Sequence, residues 1–160
     1  MYDLGGTALA EDQHELHYTN QADLIAGLID LLKEFVNRCE DKIDQLIAIG
    51  ITLPGLVNPT TGVVEYMPNT DIDNLALGEI VGEKFNTACF VGNDVRGMAL
   101  AEHYFGASQD CQDSILVSVH RGTGAGIIVN GQFFLGFNRN VGEIGHIQID
   151  PLGEQCQCGN

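Results

Sequence analysis

The sequence predicts an α/β fold, on three observations. Nearly continuous apolar runs of strand length recur at residues 46–53, 88–91 and 114–120. Helical patterns alternate with them at residues 20–39, 77–85 and 95–105. Glycine, proline and asparagine pairs punctuate the boundaries, as Pro54-Gly55, Thr61-Gly62 and Asn130-Gly131. With 160 residues, the chain is long enough for a sizeable core.

In order, Asp3-Leu4-Gly5-Gly6-Thr7 reads as a hairpin turn on Gly5-Gly6, because both glycines tolerate positive φ. Residues 8–19 are expected as one strand running into a helix start. The helix over 20–39 repeats Leu24, Ile25, Leu28, Leu31, Leu32, Phe35 and Val36 at three- and four-residue steps, a stripe for core packing. Thr19 or Asn20 caps it, and Asp23 sits where the helix dipole favours an anion. The run 46–53 is of the kind buried on both faces of a sheet. It ends in Pro54-Gly55, either a simple turn or a place where a ligand approaches a backbone without a side chain. Thr61-Gly62 then turns a hairpin into Val63-Val64-Glu65-Tyr66-Met67, which Pro68 and Asn69 end.

Leu77–Phe85 is a short helix, weakened by Gly78 and Gly82 by about 1 kcal/mol each relative to Ala. The buried strand 88–91 follows, with Cys89 as a small core hydrophobe. Gly92-Asn93-Asp94 leaves that strand and opens the helix over 95–105. Asp94 either caps this helix or presents a carboxylate to a ligand hydroxyl. After the third buried strand comes Arg121-Gly122-Thr123-Gly124-Ala125-Gly126. Free backbone N–H groups there, with the Thr123 hydroxyl, could cradle an anion. No Gly-Lys-Ser/Thr follows, so this is not a Walker loop, and glycine-rich hairpins are common without phosphate. Asn130-Gly131 joins residues 127–129 to 132–135 as a hairpin.

Composition excludes several classes. A formal net charge of −15 makes this segment a poor surface for nucleic acid. No apolar run is long enough to span a bilayer, and the first residues lack a basic start and an apolar segment. Five cysteines without regular pairing spacing suit a reducing compartment, so a cytoplasmic protein is expected.

The most informative residues are Gly142-Glu143-Ile144-Gly145-His146 and Cys156-Gln157-Cys158-Gly159-Asn160. An imidazole and thiolates are a ligand set that zinc accepts, usually with four ligands. His146, Cys156 and Cys158 are the candidates, so a fourth ligand would come from elsewhere. The alternative is a Cys-x-Cys in a loose tail beside an unrelated histidine. Glu143 and His146 are spaced so that one helical turn puts both on one face. A metal-held ring has a fixed tautomer and orientation, which suits recognition of a hydroxyl.

Glu143-Ile144-Gly145-His146 and the later Cys-x-Cys-Gly resemble the signature of the ROK family of sugar kinases and sugar-responsive repressors. The similarity extends through Ile51-Thr52-Leu53-Pro54-Gly55-Leu56-Val57, Ala101-Glu102-His103-Tyr104-Phe105-Gly106 and Val119-His120-Arg121-Gly122-Thr123-Gly124. It implies an actin-like, ribonuclease H-like sugar kinase fold, cut short at both ends. Residues 1–93 would be most of the small lobe without its first strand. Residues 94–160 would begin the large lobe and stop before the last zinc-binding cysteine. Asp3-Leu4-Gly5-Gly6-Thr7 also resembles the family's first phosphate loop, but only Met1 and Tyr2 precede it, so the turn is the better fit.

The resemblance further implies that Gly55, Asn93, Asp94, Glu143 and His146 hold a sugar, and that His146, Cys156 and Cys158 hold a structural zinc ion. In kinases of the family, Gly122, Thr123 and Gly124 would belong to the second phosphate loop for ATP and Mg2+. Asp94 would then be the base for the attacked hydroxyl. Val95-Arg96 after the Asn-Asp pair is closer to the repressor branch. The expected function is therefore the effector-binding region of a repressor that senses an amino sugar phosphate such as N-acetylglucosamine 6-phosphate. DNA contact would come from an N-terminal helix-turn-helix not present in this chain, in a homo-oligomer with no membrane contact. An ATP-dependent glucose or N-acetylhexosamine kinase is the alternative, and a zinc-stapled domain without a sugar is a third.

Overall fold

A computed structural model describes residues 1–42, 45–120, 122–136, 141–156 and 158–159. Arg121, Gln157 and Asn160, named in the motifs above, lie outside the described residues. The chain forms two compact units, Met1–Asn93 and Asp94–Asn160.

In the first unit, Tyr2 pairs with Ala8 in one antiparallel bridge. The Gly6 N–H donates to the Asp3 carbonyl at 3.1 Å, so the turn centres on Leu4-Gly5, with Gly6 at φ 83°. The hairpin is thus present one residue earlier than expected. The strand expected over residues 8–19 is reduced to that bridge, and residues 9–18 carry no helix or strand. Glu11-Asp12-Gln13-His14-Glu15 is too polar and too poor in β-branched residues to sustain one.

Helix α1 (Gln21–Arg38) starts where the sequence indicates. Asn20 Oδ1 accepts the Asp23 N–H at 3.0 Å, and the Asp23 carboxylate accepts from both Thr19 Oγ1 and Asn20 Nδ2 at 2.9 Å. Strand β1 (Ala48–Leu53) leads into an antiparallel meander of β2 (Leu56–Asn58), β3 (Val63–Tyr66) and β4 (Asp73–Leu75). Helix α2 (Leu77–Phe85) then connects to β5 (Ala88–Asn93), which pairs in parallel with β1. Gly62 and Gly78 touch: a methyl on either would lie 3.1 Å from the other's Cα. The Gly78 N–H donates to the Gly62 carbonyl at 3.1 Å. Gly78 therefore weakens its helix intrinsically but allows the helix start to seat on the β2–β3 turn.

In the second unit, helix α3 (Asp94–Phe105) precedes a meander of β6 (Ser114–Val119), β7 (Thr123–Val129) and β8 (Gln132–Phe133). Asn130 and Gly131, at φ 53° and 70°, make the two-residue turn between β7 and β8. Most of the glycine-rich stretch lies inside β7, where Gly124 pairs with Ser118 and Gly126 with Leu116. Its glycines let α3 lie close: a Cβ on Gly126 would come within 2.3 Å of the Ala99 Cβ, and one on Gly124 within 3.4 Å of Val95.

Burial on both faces does not hold for the three apolar strands. In β1 the buried residues are Ile49 and Leu53, with exposed neighbours between, while Phe90 in β5 is 65% exposed. Ile115, Val117 and Val119 of β6 are exposed as well. Side chains alternate across a strand. Helices α2 and α3 pack on β5 and on β6–β7, covering one face of each sheet and leaving the alternate residues open. Among the described residues no helix is long and apolar enough to cross a membrane.

Candidate functional site

The segment 141–146 runs along β7 with no room for side chains at two of its positions. Gly142 has φ 95°, and a Cβ there would lie 1.9 Å from the Ala125 carbonyl oxygen. Its own carbonyl accepts the Ala125 N–H at 2.7 Å and the Ile144 N–H at 2.8 Å. A Cβ on Gly145 would come 2.5 Å from the Thr123 carbonyl oxygen. A 3-10 turn over Ile144–His146 follows, with the His146 N–H donating to the Glu143 carbonyl at 3.1 Å. Residues three apart nearly eclipse in such a turn, so Glu143 and His146 leave the same side of it.

From this turn the chain doubles back. The Gly153 N–H donates to the Asp150 carbonyl at 3.1 Å, and the Gly159 N–H to the Cys156 carbonyl at 2.9 Å. The result places Cys156 Sγ 3.6 Å from His146 Nδ1. One ligand atom each from His146, Cys156 and Cys158 lies within 4.8 Å of the others. Zinc bonded to sulfur and nitrogen in a tetrahedron holds its ligand atoms roughly 3.5 Å apart. Donor chemistry and spacing therefore fit a metal ion. The Cys156 thiol is held down at about 7 by the Cys158 backbone N–H, the Cys158 thiol and His146, which favours the thiolate a metal requires. An open depression of about 710 Å³, lined among others by His146, Asp150, Glu154 and Cys156, adjoins the group.

The other expected residues are distributed between the units. In the first, Asn93 Nδ2 donates to the Gly55 carbonyl at 3.1 Å, tying the end of β5 to the turn after β1. Gly55 stands at φ 114°, and a Cβ there would lie 2.2 Å from the Tyr66 carbonyl oxygen. The close approach at Gly55 is thus made by the chain itself. In the second unit, Asp94 opens α3 and its Oδ1 accepts the Val95 N–H at 2.8 Å. Gly122 and Thr123 are exposed at the start of β7, whereas the Ala125 N–H is committed to Gly142 and is not free for an anion.

Arg96 was not legible as a site residue. It is only 8% exposed, the one charged side chain buried among the described residues. Its Nη2 donates to the Val141 carbonyl at 3.4 Å. Burial pushes its pKa down, and the Glu143 carboxylate opposes that shift. A signal existed: Arg96 shares a three-residue step with Ala99, on the face that meets β7.

The chain belongs to the ROK family, whose model matches residues 2–160. It is 54% identical over its whole length to the DNA-binding transcriptional dual regulator NagC of Escherichia coli, and spans 39% of that protein. It is 33% identical, over 99% of its length, to the DNA-binding transcriptional repressor Mlc of the same organism, and again spans 39% of the relative. The chain thus covers about two fifths of these curated relatives. The crystal structure of a ROK family transcriptional regulator, a homologue of the Escherichia coli Mlc protein, matches 99% of this chain and 40% of its own, with a TM-score of 0.91 and 44% identity. A ROK family glucokinase from Streptomyces griseus, solved with glucose and AMPPNP, matches 99% of this chain and 49% of its own, with a TM-score of 0.81 and 28% identity. The fold is the actin-like sugar kinase fold of this family.

Proposed function

We propose that this chain is part of the effector-binding region of a ROK-family transcriptional repressor that senses an amino sugar phosphate, N-acetylglucosamine 6-phosphate. The observation that carries the reading is the 54% identity over all 160 residues to a transcriptional regulator, against 28% to a glucokinase. Met1–Asn93 would belong to the small lobe and Asp94–Asn160 to the large one. Gly55, Asn93, Asp94, Glu143 and His146 are the sugar ligands in this proposal, with carboxylates and the imidazole as partners for sugar hydroxyls. DNA binding would reside in another part of a cytoplasmic, homo-oligomeric protein, since the charge of −15 repels phosphate backbones here.

His146, Cys156 and Cys158 would hold a zinc ion, which when bound supplies a rigid positive anchor and no redox chemistry. His146 would offer Nδ1, the atom facing Cys156, to the metal and Nε2 to the sugar. Glu143 sits on the same turn and would accept from a neighbouring hydroxyl. A ligand shifts a population only by its differential affinity, so induction requires the phosphosugar to favour one DNA-binding geometry over another.

The likeness to the glucokinase supports a second reading, an ATP-dependent sugar kinase. Asp94 would then take the proton from the attacked hydroxyl, with Gly122, Thr123 and Gly124 near ATP phosphates and Mg2+. Calorimetry on the intact protein separates the two. Tight binding of N-acetylglucosamine 6-phosphate, with no continuing heat from free sugar and ATP, is the expected result. Sustained heat from ATP and free sugar would overturn the sensor reading.

A further inference from the structure

Arg96 is a charged group in an environment that normally excludes one, and the function just proposed leaves it without a role. A buried guanidinium persists where several acceptors hold it in one geometry. It springs from the first turn of α3, two residues after Asp94. Its side chain reaches the carbonyl of Val141, two residues before Glu143. Between these stands Gly142, pinned against β7 through its carbonyl contact with the Ala125 N–H and unable to carry a side chain. The Glu143 carboxylate acts on the guanidinium through space. One side chain therefore joins the start of the helix that bears Asp94 to the segment that bears Glu143 and His146.

We propose that Arg96 is a positioning residue: by holding the Val141 carbonyl, it fixes Glu143, and the turn that ends in His146, in the orientation that receives the sugar. The proposal rests on the sugar-binding role of Glu143 given above. Lysine cannot replace this function fully, because an ammonium lacks the planar fork with which a guanidinium holds an acceptor in one fixed geometry. Methionine keeps much of the volume and removes the charge and the donors.

The test is a double-mutant cycle on the intact protein, with N-acetylglucosamine 6-phosphate as the probe and melting temperature and zinc content measured in parallel. Glu143→Gln alone should weaken binding; if it does not, the sugar-site reading itself fails, whatever Arg96 does. Arg96→Met should weaken binding about ten- to a hundredfold, the range over which residues of one network couple. In the Glu143→Gln background it should weaken binding little further, because its route to the ligand is already lost. Arg96→Lys should fall between wild type and Arg96→Met, and replaces it in the cycle if the methionine variant does not fold. Additive losses, or a loss that merely tracks melting temperature across all variants, would overturn the positioning role.

Discussion

The Met1–Asn93 unit buries a continuous set of large apolar side chains, among them Leu24, Ile49, Leu53, Val64, Ile72, Leu77 and Val81. In the Asp94–Asn160 unit the described buried side chains are Ala99, Ala125, Ile128 and Arg96. The first is held by area removed from water. The second is held by a helix laid on glycines, by hydrogen bonds along β7, and by a loop whose ends meet at a histidine and two cysteines. Stability by burial tolerates variation in surface chemistry. Stability by close backbone contact and by a shared ligand group does not, and the residues proposed to read a sugar are concentrated in that less forgiving unit.

Five perturbations sharpen this contrast, the largest effect first. On the zinc reading proposed above, a chelator should strip amide-exchange protection from residues 141–159 and leave α1 protected. Structural zinc contributes about 10 kcal/mol or more in small zinc domains. Equal loss of protection in both units would erase the distinction drawn here. Cys156→Ser should reproduce the chelated state and weaken the sugar response with it, since His146 is proposed to serve both; unchanged sugar affinity in a zinc-free variant would break that coupling.

Leu77→Ala should act on the other unit. Leu77 is 1% exposed, and truncating it is expected to reduce stability by about 2–5 kcal/mol in denaturant titrations without loss of metal. Smaller is Asn20→Ala, which removes the cap of α1 and should reduce stability by about 1 kcal/mol.

The smallest effect is electrostatic. Arg38, and secondarily His14, hold the exposed Asp12 carboxyl down at about 2 from its ordinary 3.8. A depressed carboxylate pKa stabilises the fold above the ordinary value and loses that contribution as pH falls through the folded value. Asp12→Asn should therefore lower the melting temperature slightly at neutral pH, and the difference should close between pH 3.8 and about 2. A gap of the same size at all pH values would show that the pair contributes nothing specific.

Much of this fold was legible in the chain because its signals are local. Periodic leucines with Asn20 and Asp23 mark α1, and Asn130-Gly131 marks a two-residue hairpin. His146, Cys156 and Cys158 are close enough in sequence for their spacing alone to suggest a common ligand. What escaped depends on contacts between distant residues. Strand β4 is short and polar, and its Asn74 sits at φ 46°; only its pairing with β3 makes it a strand. The close approach of the Tyr66 carbonyl to Gly55 and of Ala99 to Gly126 could not be read from the chain, because each joins residues distant in sequence. The burial of Arg96 also depends on a distant contact, that of α3 with β7.

The doubling back between His146 and Cys158 also bears on how the protein is made. Closing so short a loop costs little chain entropy, and the cost rises only slowly with length. His146, Cys156 and Cys158 leave the ribosome within about a second of one another at ordinary elongation rates. On the zinc reading proposed above, a metal ion would be captured by the nascent chain at this point, and zinc supply during synthesis, not only in the finished protein, would determine how much of it matures.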